Sequence, residues 1–128
     1  MKRRVFFLLF ALLPMMAMAQ WVVDDQGEVG KNNDKVYYEY NRGTKTLRIY
    51  GTGEMWDGGD ASLWYLHDSQ SYATTIIIEE GVTHIGNQAF RGFEAVTSVT
   101  IPSTVTSIGE YNQEIKGETN VEIISVIA

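Results

Sequence analysis

One stretch of the chain occurs almost twice, at a shift of 23 residues. Residues 75–86 read TIIIEEGVTHIG, and residues 98–109 read SVTIPSTVTSIG. The identical pairs are Ile78 and Ile101, Val82 and Val105, Thr83 and Thr106, Ile85 and Ile108, and Gly86 and Gly109. A fixed period of this length is typical of a solenoid, in which each repeat forms one rung that cannot bury its apolar side alone. The repeat therefore predicts a stack of rungs that presents a binding surface.

Each repeat should form a strand, a turn and a second short strand that ends at a glycine. Equivalent aliphatic side chains of the two rungs should then lie about one strand spacing apart, roughly 4.8 Å. The expected stacks are Ile78 on Ile101, Val82 on Val105, and Ile85 on Ile108. Burying each of these side chains is worth about 1.5–3 kcal/mol, so the stacks should supply most of the stability.

The second repeat then becomes irregular. Where the first repeat has Ala89-Phe90, the second has Asn112-Gln113, which we do not expect to fill the same pocket. The tail regains β-forming residues at 121–127, and a one-residue deletion aligns Val121 with Val99 and Ile123 with Ile101. This alignment predicts a third parallel rung. Its uncovered edge would invite self-association.

Two β-forming runs precede the repeats. Residues 36–40 and 46–50 are rich in aromatic and β-branched residues, and the linker 41–45 contains a glycine, which predicts a β-hairpin. The glycines of 51–53 should end the second strand. Residues 21–23 form at best a short strand.

The N-terminus has the composition of a secretory signal peptide. Basic residues at 2–4 precede an apolar run, and small residues surround a cleavage site near Ala19-Gln20. The alternative is a membrane anchor, but Pro14 interrupts the run, which is shorter than the ~20 residues that a span needs. The predicted organisation is therefore a signal peptide at 1–19, a hairpin and capping region at 20–73, and a solenoid with a degenerate last rung at 74–128.

Charge and cysteine content exclude several classes of function. Without the three basic residues of the leader, seven basic residues remain against 16 acidic ones, and the net charge moves from −6 to −9. Such acidity argues against binding to nucleic acid, whose phosphates would repel the protein. The chain has no cysteine, so a thiol nucleophile, a thiolate metal site and disulfides are excluded.

The motifs resemble a known family. The segment from Thr44 to Gln113 looks like the BspA-type leucine-rich repeat proteins of bacterial surfaces. The resemblance rests on residues 82–90 (VTHIGNQAF) and 98–102 (SVTIP), and on a lead-in at 46–55 (TLRIYGTGEM) with Trp64-Tyr65. Family members usually carry many more repeats, and often have a cysteine near the position of Phe93.

The residue pattern predicts a mostly β fold, in which an N-terminal β-hairpin leads into a short leucine-rich-repeat-like β-solenoid of two to three rungs, and the resemblance implies a curved β-rich repeat. It also implies a secreted or cell-surface protein that binds a protein ligand in adhesion, for example a host extracellular matrix or plasma protein. It implies no catalytic residue, no cofactor and, once the leader is removed, no transmembrane span.

Aromatic residues cluster in the N-terminal half and give the main alternative function, a glycan-binding module. Tyrosine and tryptophan dominate binding hot spots, but a small sheet without disulfides also needs them in its core. For Trp56 and Trp64 we favour core and capping positions. For Tyr38 and Tyr50 both interpretations stay open, and they are candidate ligand contacts.

Two further candidate contacts are His84 and Ser107, which occupy equivalent positions of the two repeats. The equivalence favours an outward, solvated histidine over a metal ligand. Asp57, Asp60 and the pair His67-Asp68 favour a polar loop, although a weak calcium site at the first two remains an alternative. The serines lack a Gly-x-Ser-x-Gly elbow, which argues against a serine hydrolase.

Overall fold

The computed structural model describes residues 21–57, 68–112 and 122–125. These residues form eight strands, a 3₁₀ turn at Lys31–Asn33 and one short helix, α1 (Asp68–Tyr72). The strands are β1 (Asp25–Glu28), β2 (Lys35–Asn41), β3 (Thr46–Glu54), β4 (Thr75–Ile78), β5 (Val82–Ile85), β6 (Ser98–Ile101), β7 (Ser107–Ile108) and β8 (Glu122–Ser125). None of the described helices is long and apolar enough to cross a membrane.

The strands form two connected stacks. The main sheet has the order β1-β2-β3-β4-β6-β8, and the second stack runs from β3 through β5 to β7. Pairing is antiparallel from β1 to β3 and parallel from β3 onwards. The predicted mostly β architecture, a hairpin followed by stacked repeat strands, is therefore confirmed.

The hairpin forms where the sequence predicts it, with Tyr38 opposite Ile49. Strand β1 pairs with β2 of the hairpin. The expected short strand at 21–23 is wrong, because the strand begins at Asp25. The expectation that glycines end the second strand is also wrong, because β3 continues to Glu54. Gly51 and Gly53 both have φ +119°, and a Cβ on Gly51 would lie 2.0 Å from the carbonyl oxygen of Lys35. Glycine thus lets β3 bend while it keeps its pairing.

Strand β3 serves as the first rung of both stacks. Its beginning pairs with β4, with Leu47 beside Ile76, and its end pairs with β5, with Gly53 beside Val82. The repeat period does not reveal this rung, because Leu47 lies 29 residues before Ile76, whereas Ile76 lies 23 residues before Val99.

The 23-residue register is confirmed in both stacks. Ile76 lies beside Val99 in the main sheet, and Ile85 lies beside Ile108 in the second stack. Ile101, Val105 and Ile108 are only partly buried, so these three residues of the second repeat are less buried than their equivalents Ile78, Val82 and Ile85 in the first.

A third parallel rung is present, but its predicted register is wrong by two residues. Ile123 pairs with Val99 rather than with Ile101, which pairs with Ser125. A shift of two residues leaves every side chain on the same face. The predicted register places two apolar residues beside Val99 and Ile101, whereas the observed register places Ser125 beside Ile101. The apolar pattern of the tail therefore favoured the wrong register. Val121 and Gln113 lie outside the described residues.

One apolar core joins the hairpin to the repeats. Its largest fully buried side chains are Tyr40, Phe90, Phe93, Leu47, Ile49, Met55, Ile76, Ile78, Ile85 and Val36. The rings of Phe90 and Phe93 meet edge to face with their centroids 5.4 Å apart.

Asn112 is fully buried, so the expectation that it would not fit the pocket at the Ala89 position is wrong. Its Oδ1 accepts a hydrogen bond from the Phe90 N–H at 2.8 Å, and its Nδ2 donates to the Gly86 carbonyl at 2.8 Å. The amide thereby connects two rungs and satisfies buried main-chain groups.

Candidate functional site

The solvent side of the main sheet carries a continuous row of side chains. The strand register places Glu39, Arg48, Ile77 and Thr100 side by side, and Tyr50 follows two residues after Arg48. We call these five residues the outer sheet face. Their side chains are half-buried, whereas Leu47 and Ile76 on the opposite side of the sheet are fully buried.

Charged groups hold one end of this face in place. Arg48 lies between two carboxylates: its Nη1 donates to Glu39 at 2.9 Å, and its Nε donates to Glu79. These bonds raise the pKa of Arg48, with the Glu79 hydrogen bond as the largest cause. The guanidinium carbon also lies 4.2 Å from the centroid of the Tyr50 ring. The cluster is therefore an ordered, charged anchor rather than a set of free side chains.

Tyr50 is a half-buried aromatic residue of the outer sheet face. Its hydroxyl donates to Glu39 at 3.1 Å, and its ring lies 5.6 Å from that of Tyr37. Burial and the nearby Glu39 carboxylate raise the pKa of Tyr50. Tyr50 is thus partly accessible from the solvent side of the sheet.

Tyr38 lies on the opposite side of the sheet and is only 6% exposed. Its ring packs against Gly27, where an added Cβ would come within 2.8 Å of the ring, and its hydroxyl donates to Asp25 at 3.2 Å. Burial and then the Asp25 carboxylate raise the pKa of Tyr38 to about 12. Its observed place is therefore in the core, away from Tyr50.

A second row of polar side chains crosses the second stack. Glu54, His84 and Ser107 are register neighbours, and Asp57 follows the end of β3. We call these four residues the corner row. The Nδ1 of His84 lies 2.6 Å from Ser107 Oγ, and its Nε2 lies 3.3 Å from Asp57 Oδ1.

The expected outward position of His84 agrees with its intermediate burial beside the fully buried Ile85. Its expected solvation is wrong, because the side chain is only 17% exposed and is hydrogen-bonded at both nitrogens. The 23-residue repeat did predict that His84 and Ser107 are neighbours. Nothing in the sequence pattern indicated Asp57 as the third member.

Asp57 is held by several donors. Its carboxylate accepts the Asn87 N–H at 2.8 Å and the Lys31 ammonium at 3.1 Å. The Asn87 bond is the largest cause that lowers the pKa of Asp57, and Lys31 and His84 lower it further against the effect of burial. Among the residues that the structure describes, no group of three or more His, Asp or Glu side chains could hold a metal ion. Asp60, the second residue of the calcium hypothesis, and His67 lie outside the described residues.

Trp56 is 48% exposed, so its predicted core position is wrong. The sequence did contain the signal. The alternation that buries Leu47 and Ile49 reaches Met55 on the inner side and Trp56 on the outer side when it is continued through the glycines. Trp64 lies outside the described residues.

Comparisons with known proteins identify the repeat. A family model described as "BspA type Leucine rich repeat region (6 copies)" matches residues 66–125. The fold is similar to that of a leucine-rich repeat protein from Eubacterium ventriosum, with 21% sequence identity and a TM-score of 0.60. That match covers 79% of this chain and 26% of the other, so this chain spans about a quarter of the solved protein's length. No curated protein sequence matches. Residues 66–125 of the chain therefore form a BspA-type leucine-rich repeat region, in agreement with the resemblance of its sequence motifs.

Proposed function

We propose that the chain is an exported protein-binding module of the leucine-rich repeat type that acts in adhesion without catalysis. The observation that carries the proposal is the outer sheet face, where Ile77 is half-exposed between Arg48 and Thr100 on paired parallel strands. Stacked repeats create extended binding surfaces of this kind. The partner class is a protein, such as a host extracellular matrix or plasma protein.

The composition of the outer sheet face fits this role. Arginine and tyrosine are enriched at protein interfaces, and isoleucine supplies apolar area. The ion pairs of Arg48 with Glu39 and Glu79 restrict side-chain freedom before a ligand arrives. Binding of a partner therefore costs less side-chain conformational entropy in this protein than it would at a flexible surface.

Surface plasmon resonance against immobilised matrix and plasma proteins tests the proposal. For the ligand that binds best, Ile77→Glu should weaken binding at least about tenfold, because it places a charge in the apolar centre of the face. Tyr72→Glu is the matched control, since Tyr72 is 59% exposed on α1 and outside this face. Wild-type affinity in the Ile77 variant would show that the outer sheet face is not the binding surface. Absence of binding to every protein tested would contradict the proposed protein-binding function.

The second candidate function is a glycan-binding module, and the exposed Trp56 favours it. An exposed tryptophan beside the polar corner row offers a stacking surface together with hydrogen-bonding groups. Tyr38 no longer supports this function because it is buried, whereas Tyr50 still does. On a glycan array, binding that Trp56→Ala abolishes and Ile77→Glu leaves intact would favour the glycan function.

We also propose that residues 1–19 are removed on export. The basic start, apolar run and small residues near Ala19 support this step. Expression of the whole chain in a bacterium and N-terminal sequencing of the exported product should give Gln20 as the first residue. A product that keeps Met1 and remains with the cells would contradict export.

Self-association through the last strand is a further part of the proposed function. β8 is the final strand on the path of the main sheet among the described residues, and an edge strand can pair with another chain. Light scattering should show a mass that rises with concentration. Replacing Ile124 by Pro should reduce this effect, because proline removes a main-chain donor.

A further inference from the structure

Three residues from successive rungs meet in the corner row. Asp57 follows β3, His84 is in β5 and Ser107 is in β7. Ser107 Oγ lies 2.6 Å from His84 Nδ1, and His84 Nε2 lies 3.3 Å from Asp57 Oδ1. The stacked register thus places a hydroxyl, an imidazole and a carboxylate in line.

The charges assign the protons in this line. An ionised carboxylate can only accept, so the Nε2 of a neutral His84 carries the proton and donates to Asp57. Nδ1 then has a free lone pair that accepts the proton of the Ser107 hydroxyl. Asp57 is itself fixed by the Asn87 N–H and by Lys31, so it holds the ring in this orientation.

Other hydroxyls of the described repeat have a different partner. Thr97, Thr104 and Thr106 donate to main-chain carbonyls of the preceding rung, at 3.2, 2.8 and 3.2 Å. A carbonyl oxygen only orients a hydroxyl, whereas an imidazole nitrogen can take the proton of the hydroxyl while its oxygen attacks an electrophile. Ser107, unlike these threonines, is therefore hydrogen-bonded to a side chain that can act as a base.

The nucleophile is also accessible. Ser107 is exposed, while the His84 side chain behind it is 17% exposed. An electrophile can reach Oγ without displacing the base. A nucleophile bonded to a base that a third group orients is the arrangement that activates serine in acyl transfer.

We propose that Ser107 is a site of covalent acylation by activated esters, with His84 as general base and Asp57 as a positioning residue. Ser107 Oγ forms a bond to the ester carbonyl carbon while its proton passes to His84 Nδ1. The bond from that carbon to the alcohol oxygen breaks, and the leaving oxygen takes the proton from His84. The reaction is a stoichiometric modification and goes beyond the proposed binding function.

An alkyl phosphonofluoridate probe tests the nucleophile. The Oγ–P bond forms, the P–F bond breaks and fluoride leaves with the bonding electrons, while the proton goes to His84. Peptide mass spectrometry should show Ser107 labelled about 100-fold faster than Ser103, the size of effect that a positioned base typically gives. Ser103 is the matched control because it is exposed and lies in the same rung. Equal rates at the two serines would overturn the proposal.

Two variants test the base and its orientation. His84→Asn keeps a hydrogen-bonding side chain near the Nδ1 position but cannot take a proton, and it should bring the Ser107 rate down to that of Ser103. Asp57→Asn should reduce the rate less, because the base remains. Thermal unfolding followed by circular dichroism checks that both variants fold. Should the folded His84 variant label as fast as the wild type, the histidine has no role as base and the proposal fails.

Discussion

Tyr38 and Tyr50 have identical side chains on paired strands, yet the pleat of the sheet gives them opposite environments. Tyr38 contacts Gly27 and Asp25 on the buried side, and Tyr50 contacts Arg48 and Glu39 on the exposed side. The sequence could not separate them, because the run Tyr37-Tyr38-Glu39-Tyr40 does not show which parity faces inward. The structure settles the parity because Val36 and Tyr40 are fully buried.

The raised pKa of Tyr38 predicts a loss of stability in alkali. Because its pKa in the folded protein is about 12, above the ordinary value of 10.0, the neutral phenol favours folding. This contribution is complete below pH 10.0 and is lost as the pH rises to about 12. Urea unfolding across this window should show a steeper loss for the wild type than for Tyr38→Phe, which has no proton to lose. Equal slopes would contradict the assignment.

Asn112 gives a second prediction at the scale of the residue. Asn112→Ala removes the acceptor of the Phe90 N–H and the donor to the Gly86 carbonyl inside the core. The free energy of unfolding should fall by about 1–3 kcal/mol, the usual result of leaving buried polar groups without these partners. Urea titration measures the change, and Ser103→Ala on the exposed turn is the control. An unchanged midpoint in the Asn112 variant would show that the amide contributes nothing.

At the scale of the element, β4 shows how alternation divides core from surface. Ile76 is fully buried, while the next residue, Ile77, belongs to the half-buried outer sheet face. Ile76→Ala should lower the free energy of unfolding by about 2–5 kcal/mol, because it leaves a cavity in the core. Ile77→Ala should cost clearly less than this. Chemical denaturation of the two variants compares the same substitution at adjacent positions, and equal losses would contradict the assigned parity.

The register of the third rung can be tested by cross-linking, because the chain contains no other cysteine. The structure pairs Thr100 with Ile124, whereas the alignment expected from the sequence pairs Thr100 with Glu122. Directly paired strand residues have Cα separations that permit a disulfide. Thr100→Cys with Ile124→Cys should therefore oxidise more readily than Thr100→Cys with Glu122→Cys. Preferential oxidation of the second pair would restore the register expected from the sequence.

At the scale of the whole molecule, the hairpin and the repeats share one core. Val36 and Tyr40 from the hairpin belong to the same buried cluster as Ile85 and Val99 from the repeats. The predicted boundary between residues 73 and 74 therefore marks a change in sequence pattern. We do not expect the parts on its two sides to be independently stable.

The shared core predicts one cooperative unfolding transition. The three tryptophans lie between residues 21 and 64, so their fluorescence reports on the N-terminal half, whereas far-ultraviolet circular dichroism reports on all strands. The two probes should give the same urea midpoint. A lower midpoint by fluorescence than by circular dichroism would show that the hairpin region opens on its own.

The sequence by itself determined the two 23-residue repeats of this protein and their mutual register. Identical residues such as Ile85 and Ile108 recur at a fixed spacing. When repeats of equal length stack as parallel strands, equivalent residues lie side by side, so the repeat period also gives the strand register. The hairpin followed for a similar reason, because its strands and turn are local in the chain.

The tertiary structure decided everything that depends on which side of a strand faces inward and on contacts distant in sequence. It made β3 the first rung, gave β8 a register that the apolar pattern did not predict, buried Tyr38 and exposed Trp56. It also brought Asp57 to His84, a contact across 27 residues. These outcomes depend on the packing of the whole core, and no local pattern carries that information.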